Sequence, residues 1–248
     1  MFEAMLKPVV AGLAGALLSY LFSLLRHVAP RKLAWRVTHP NQTYFSIATS
    51  VERKFDANSV QSQNADPTEL RFALYGTYIG QVRALGILLP DFCQAYKMFD
   101  PSKVFLSEQL PPELYDCDIV SIGGPIPNRT TRFFLDRISS ELPIMIENHE
   151  LTFRQDAKEL VFRPTYDGDA VKRDIGVVIK FPNPENTTRE CLLFFGMRTF
   201  GSEAAAKAFT TILVGVKHLM AKRYIAIVEA GVDGSAVRQP TLLLFHRF

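Results

Sequence analysis

Hydrophobic and polar positions divide this chain unevenly. Residues 9–25 (VVAGLAGALLSYLFSLL) carry no charge, whereas the rest alternates short apolar runs with polar turns. At about 1.5 Å per residue a helix over that run spans roughly 25 Å, just enough to cross a hydrocarbon core. The pattern predicts an anchor unit at residues 1–29, a basic connector at 30–44 and one α/β domain at 45–248. Within the domain, short β-branched and aromatic runs predict strands at 45–50, 104–107, 118–122, 144–147, 175–181, 191–197, 224–229 and 242–246. The helical spacing of Val82, Leu85, Leu88 or Leu89, Phe92 and Tyr96 predicts a helix over 79–98, which Pro90 should kink or divide. Further helices are expected at 131–140 and 202–220, the last capped by Ser202, and the polar stretch 58–67 reads as an exposed loop.

Alternation of strands with helices points to a parallel or mostly parallel sheet. The segment PNPENTTRE between the strands at 175–181 and 191–197 is too short for a crossover helix, so those two should pair as an antiparallel hairpin. The expected fold class is therefore α/β: a Rossmann-like, mostly parallel sheet with an antiparallel hairpin at one edge, plus one N-terminal transmembrane helix.

Charge adds orientation. Lys7 precedes the apolar run, and Arg26, Arg31, Lys32 and Arg36 follow it, which places the large domain in the cytoplasm. Arg26 and His27 stand where a cleaved signal peptide would need small residues, so the anchor should be retained. A buried first helix or an interfacial helix is the competing use of such a run. Ala11, Gly15 and Ser19 recur every four residues, a spacing that lets two membrane helices approach closely and suggests a homo-oligomer. Much of the net charge of +3 sits beside the anchor, which leaves no basic stripe and no reason to expect nucleic acid as a partner.

Cys93, Cys117 and Cys191 show no CxxC spacing and are too few for a disulfide scaffold, in keeping with a reducing compartment. In the cytoplasm the glycosylation triplets at Asn41, Asn128 and Asn186 would be coincidental. No metal site is expected: His149 has no ligand spacing with His27, His39, His218 or His246.

Three glycine-marked loops are placed to meet a ligand, because open α/β sheets bind outside the carboxyl ends of their strands. In the first, Gly76, Thr77, Gly80 and Gln81 precede a helix. In the second, Gly123 and Gly124 release the backbone while Asn128, Arg129 and Thr130 offer donors suited to phosphate or ribose. The third has Arg198 and Thr199, with Gly201 and Ser202 at the start of a helix. None matches GxGxxG or GxxxxGK[ST]; a helix-capping turn is the competing explanation for the second and third loops, and in the first Gln81 and Arg83 could equally face solvent. Glu147, ending its strand, should reach the same rim and is the candidate general base or nucleophile for N-glycosidic cleavage, as in deoxyribosyltransferase-class enzymes. Asp118 and Asp174, which begin strands, should lie at the opposite end.

The segments GTYIGQVRAL, DIVSIGGPIPN and DIGVVIKFPNP through LLFFGMRTFGSEAAAKAF resemble a set recurring in uncharacterised microbial Rossmann-like proteins, some tethered to a membrane or to a DNA-binding domain. That resemblance, spanning most of residues 45–230, implies a shared fold and pocket and no catalytic residue. A looser similarity joins the GGPxxN loop to archaeal surface-layer domains and implies a scaffold role. Three functions stay open: a membrane-anchored sensor of a nucleotide or nucleotide-derived ligand, a nucleotide-processing hydrolase centred on Glu147, and an assembly protein without ligand.

Overall fold

Strands Asp118–Ile122 (β5) and Glu190–Gly196 (β11) are buried along their lengths because apolar layers cover both of their faces. The computed structural model describes residues 26, 28–51, 75–76, 78–98, 100–155, 158–215 and 221–248. The anchor run with Ala11, Gly15 and Ser19, the loop expected at 58–67, and Thr77 lie outside the described residues. Among the described residues no helix is long and apolar enough to cross a membrane.

The remaining strands are Thr43–Ile47 (β1), Ser50–Val51 (β2), Tyr75–Gly76 (β3), Val104–Leu106 (β4), Ile144–Glu147 (β6), Glu150–Gln155 (β7), Lys158–Phe162 (β8), Thr165–Asp167 (β9), Ala170–Pro182 (β10), Tyr224–Asp233 (β12), Ala236–Val237 (β13) and Thr241–His246 (β14). The helices are Ala29–Trp35 (α1), Ile79–Tyr96 (α2), Arg129–Ile138 (α3) and Thr199–Ala208 (α4). The fold is mixed α/β. One nine-stranded sheet runs β13-β12-β10-β11-β5-β1-β4, with β14 also on β12 and β9 also on β10. From β11 to β4 its strands are parallel, and from β11 through β10 to β12 they are antiparallel.

Alternation along each strand sorts side chains between two layers. Val120, Leu192 and Phe194 join α1, α2 and α4 on one face, while Ile119, Leu193 and Phe195 join α3 and a small sheet, β6-β7-β8, on the other.

Five expectations are corrected. The β10/β11 hairpin lies in the interior of the sheet, since β10 also pairs along its length with β12. Strand β6 leaves the main sheet for the antiparallel β6-β7-β8 unit. The expected connector is structured: its first six residues belong to helix α1, which has Pro30 in its first turn and stops at Arg36, whose φ of 54° ends the helical ladder, and its last two begin β1. Its Trp35 is fully buried, its indole N–H donates to Asp91 Oδ2 at 2.9 Å, and Arg31 Nε donates to Asp91 Oδ1 at 2.6 Å. Lys180, buried near the end of β10, donates to the Ala34 carbonyl at 2.5 Å, an orphan acceptor at the end of α1. Burial depresses this amine well below the usual lysine range. Finally, α2 is not divided at Pro90, and α4 passes at Phe209 into a π turn, Phe209–Leu213.

Candidate ligand cleft

Neighbouring parallel strands β5 and β11 send their following helices to opposite faces, α3 to one and α4 to the other. Helices that diverge in this way leave a crevice at the carboxyl ends of the strands. A cleft of about 320 Å³ opens there. Its walls come from Tyr78 and Gln81 at the start of α2, Gly124 to Pro127 after β5, Phe195 to Thr199 with Ser202 around the start of α4, and Ile146 to His149 at the β6/β7 turn. Of the expected site residues it thus gathers Gln81, Gly124, Glu147, Arg198, Thr199 and Ser202.

Most of the others that are described serve the fold. Asn128 is fully buried and caps α3: Oδ1 accepts from the Thr131 N–H at 3.0 Å and Nδ2 donates to the Ile122 carbonyl at 2.9 Å. Thr130, also buried, accepts from Ser46 Oγ at 2.9 Å, whereas Arg129 is exposed outside the cleft lining. Arg132 clamps the loop by donating to the carbonyls of Pro125 at 2.8 Å and Ile126 at 2.7 Å. Gly123 has φ 118°, and a Cβ there would strike the Ala48 side chain at 2.5 Å. Gly76 lies in β3, paired with Ser50. A Cβ on Gly80 would lie 1.9 Å from the Thr199 carbonyl oxygen, so that glycine lets α2 start directly against α4. Gly124 faces room, with its nearest neighbour, the Gly196 carbonyl oxygen, 3.9 Å from an added Cβ.

Asp174 is the residue that sequence reasoning misplaced. Because β10 runs antiparallel to β11, its N-terminal half lies beside the end of β11, with Gly176 opposite Gly196. The Asp174 carboxylate, fully buried, accepts from the backbone N–H groups of Ile175 at 2.8 Å, Arg198 at 3.1 Å and Gly201 at 2.6 Å. A strand carboxylate therefore caps α4, and Ser202 is not the cap: Arg198 holds that position with no side-chain cap bond of its own. The signal was present in the sequence. Counting back from the Pro182 and Glu190 pair that closes the hairpin brings Asp174 alongside Arg198.

Burial pushes the Asp174 carboxyl up to about 6 despite those donors. A folded-state value above the ordinary 3.8 means that the native protein holds the proton more tightly than the unfolded chain. The corresponding stability is complete below about pH 4 and is lost as pH rises through 6. Urea midpoints measured from pH 4 to 7 should show this decline in the wild type, and Asp174→Asn should flatten that part of the profile. Equal slopes in the two proteins would rule the assignment out.

At the other wall, Asn148 and His149 have φ of 48° and 63°, the left-handed pair that a two-residue hairpin turn requires. That turn brings Glu147, which is exposed, and His149 to the lip of the cleft. Arg198 Nε donates to the Tyr166 hydroxyl at 2.7 Å, its guanidinium 5.6 Å from that ring. Asp118 lies at the far end of β5, as expected, where it accepts from the Glu190 N–H at 2.7 Å and pairs with Arg189. Among the described residues no group of three or more His, Cys, Asp or Glu is placed to hold a metal. A scan of protein-family models and a search of curated proteins return no match to this chain.

Proposed function

We propose that this chain is a binding or sensor module for a small ligand of the nucleotide class. The observation that carries this reading is the convergence of segments far apart in sequence, at the starts of α2 and α4, after β5 and at the β6/β7 turn, on one cleft. Its position at the carboxyl ends of parallel strands with diverging helices supports a Rossmann-like use of the sheet. Apolar walls with a few polar groups are what such ligands require. In this reading residues 9–25 tether the domain to the inner face of a membrane, dimerise through Ala11, Gly15 and Ser19, and pass ligand occupancy along through α1, which begins shortly after the run. The segments that resemble motifs of uncharacterised microbial Rossmann-like proteins include the loop after β5 and the start of α4, both of which line the cleft.

Gly124→Leu tests the cleft. Gly124 has no left-handed backbone to strain and has open space before it, so the new side chain fills the cleft without displacing the fold. With the full chain in mild detergent, calorimetry against nucleosides, nucleotides and NAD should find saturable binding that Gly124→Leu weakens by more than about tenfold, about 1.4 kcal/mol. The unfolding midpoint should stay where it is. Absence of saturable binding by the wild type would refute the reading.

Glu147 and His149 at the lip favour one second reading, cleavage of an N-glycosidic bond with Glu147 as base or nucleophile. Release of free base from nucleosides or NAD, abolished in Glu147→Gln, would distinguish it. An assembly protein would show neither result.

A further inference from the structure

We infer that the cleft recognises the nucleoside part of its ligand, a flat ring with its sugar, and does not recognise phosphate. The inference rests on the reading of the cleft as a nucleotide-class site and narrows it. Phosphate sites in α/β folds are built from free backbone N–H groups at a loop and a helix start. Here several of those groups are engaged by the protein itself. The Gly123 N–H donates to the Phe194 carbonyl at 2.8 Å, that of Asn128 to the Gly124 carbonyl at 3.0 Å, and that of Gly80 to Thr199 Oγ1 at 3.3 Å. At the start of α4 the N–H groups of Arg198 and Gly201 are held by Asp174.

Asp174 also fills the place electrostatically. An anion approaching the start of α4 would meet a fixed carboxylate where a phosphate site offers positive potential, with Glu147 as a second carboxylate at the lip. The Arg198 guanidinium is turned onto Tyr166. What the cleft does offer is apolar surface, chiefly the exposed side chains of Tyr78 and Ile126, with Ile146 beside them. At about 320 Å³ it lies at the small end of ligand pockets, suited to a ring and a sugar and too small for a dinucleotide. Ser202 supplies a polar point, since it lines the cleft and its side chain is not used to cap α4.

The test is calorimetry on the full chain in detergent with adenosine, guanosine, cytidine and uridine, each beside its 5′-monophosphate, at about 50 and 500 mM NaCl. At least one nucleoside should bind, its monophosphate should bind less than about tenfold more tightly, and salt should have little effect, because a bond to a charged group would contribute tenfold or more. Ser202→Ala should weaken the nucleoside about tenfold. A monophosphate preferred by about tenfold or more, with affinity falling as salt rises, would overturn this inference and leave the nucleotide-class reading standing. If neither nucleosides nor nucleotides bind, the reading itself falls and the inference with it.

Discussion

Trp35→Ala is expected to remove about 4 kcal/mol of unfolding free energy, a large share of the 5–15 kcal/mol typical of a domain. Trp35 is the chain's single tryptophan. It is fully buried, with its ring centroid 4.9 Å from that of Phe209, 5.3 Å from Phe92, 6.4 Å from Phe45 and 6.5 Å from Phe194. These partners come from α2, β1, β11 and the π turn, so truncating Trp35 opens a cavity where α1 joins the layer. Trp35→Phe separates the two contributions: it keeps ring packing and loses the N–H bond to Asp91, at a cost of about 1–2 kcal/mol. Urea denaturation followed by far-UV circular dichroism is the appropriate measurement, because the variants lack the fluorophore. A loss below about 1 kcal/mol in Trp35→Ala would mean that α1 is not part of the core.

Gly201→Ala should cost about 3 kcal/mol or more, despite adding one methyl group to a helix. The new Cβ would lie 2.2 Å from the Ile175 carbonyl oxygen and 2.5 Å from Gly196 Cα, both backbone atoms with no side chain to swing aside. Gly176 meets the same seam from the sheet, where an added Cβ would lie 2.5 Å from the Gly201 carbonyl oxygen. Helix α4 would have to lift from β10 and β11, stretching the bond from the Gly201 N–H to Asp174 and deforming the cleft wall. Gly86→Ala is the control. It sits in α2, exposed, with nothing within 4 Å of an added Cβ, so it should stabilise by about 0.5–1 kcal/mol through helix propensity alone. Opposite signs for the two substitutions, read as thermal or urea midpoints, would establish the seam. A neutral Gly201→Ala would refute it.

Strands were legible where a short apolar run stood between turn residues. Asp118–Ile122 has the boundaries the pattern predicts, and the 175–181 and 191–197 runs form the expected hairpin, longer at both ends of β10. Helix α1 was missed because Pro30 and its basic residues resemble a linker, and only Trp35 among them signals burial. The Ile144–Glu147 strand was recognised without its partners, since a strand's sequence does not say which sheet it joins. In the cleft, glycines marked the right loops for a partly different reason. At Gly80, Gly196 and Gly201 the missing side chain lets one backbone touch another, and a single chain shows the glycine without showing what approaches it.

The order of apolar and polar residues by itself determined the α/β class, the antiparallel pairing of β10 with β11 and the three loops worth inspecting, because each depends on periodicity or on connection length within a few dozen residues. Tertiary structure alone decided that α3 and α4 part to opposite faces and open a cleft between the starts of α2 and α4, the loop after β5 and the β6/β7 turn. Whether a backbone donor is free for a ligand or already engaged is settled by residues distant in sequence, and their approach follows from how the layers pack.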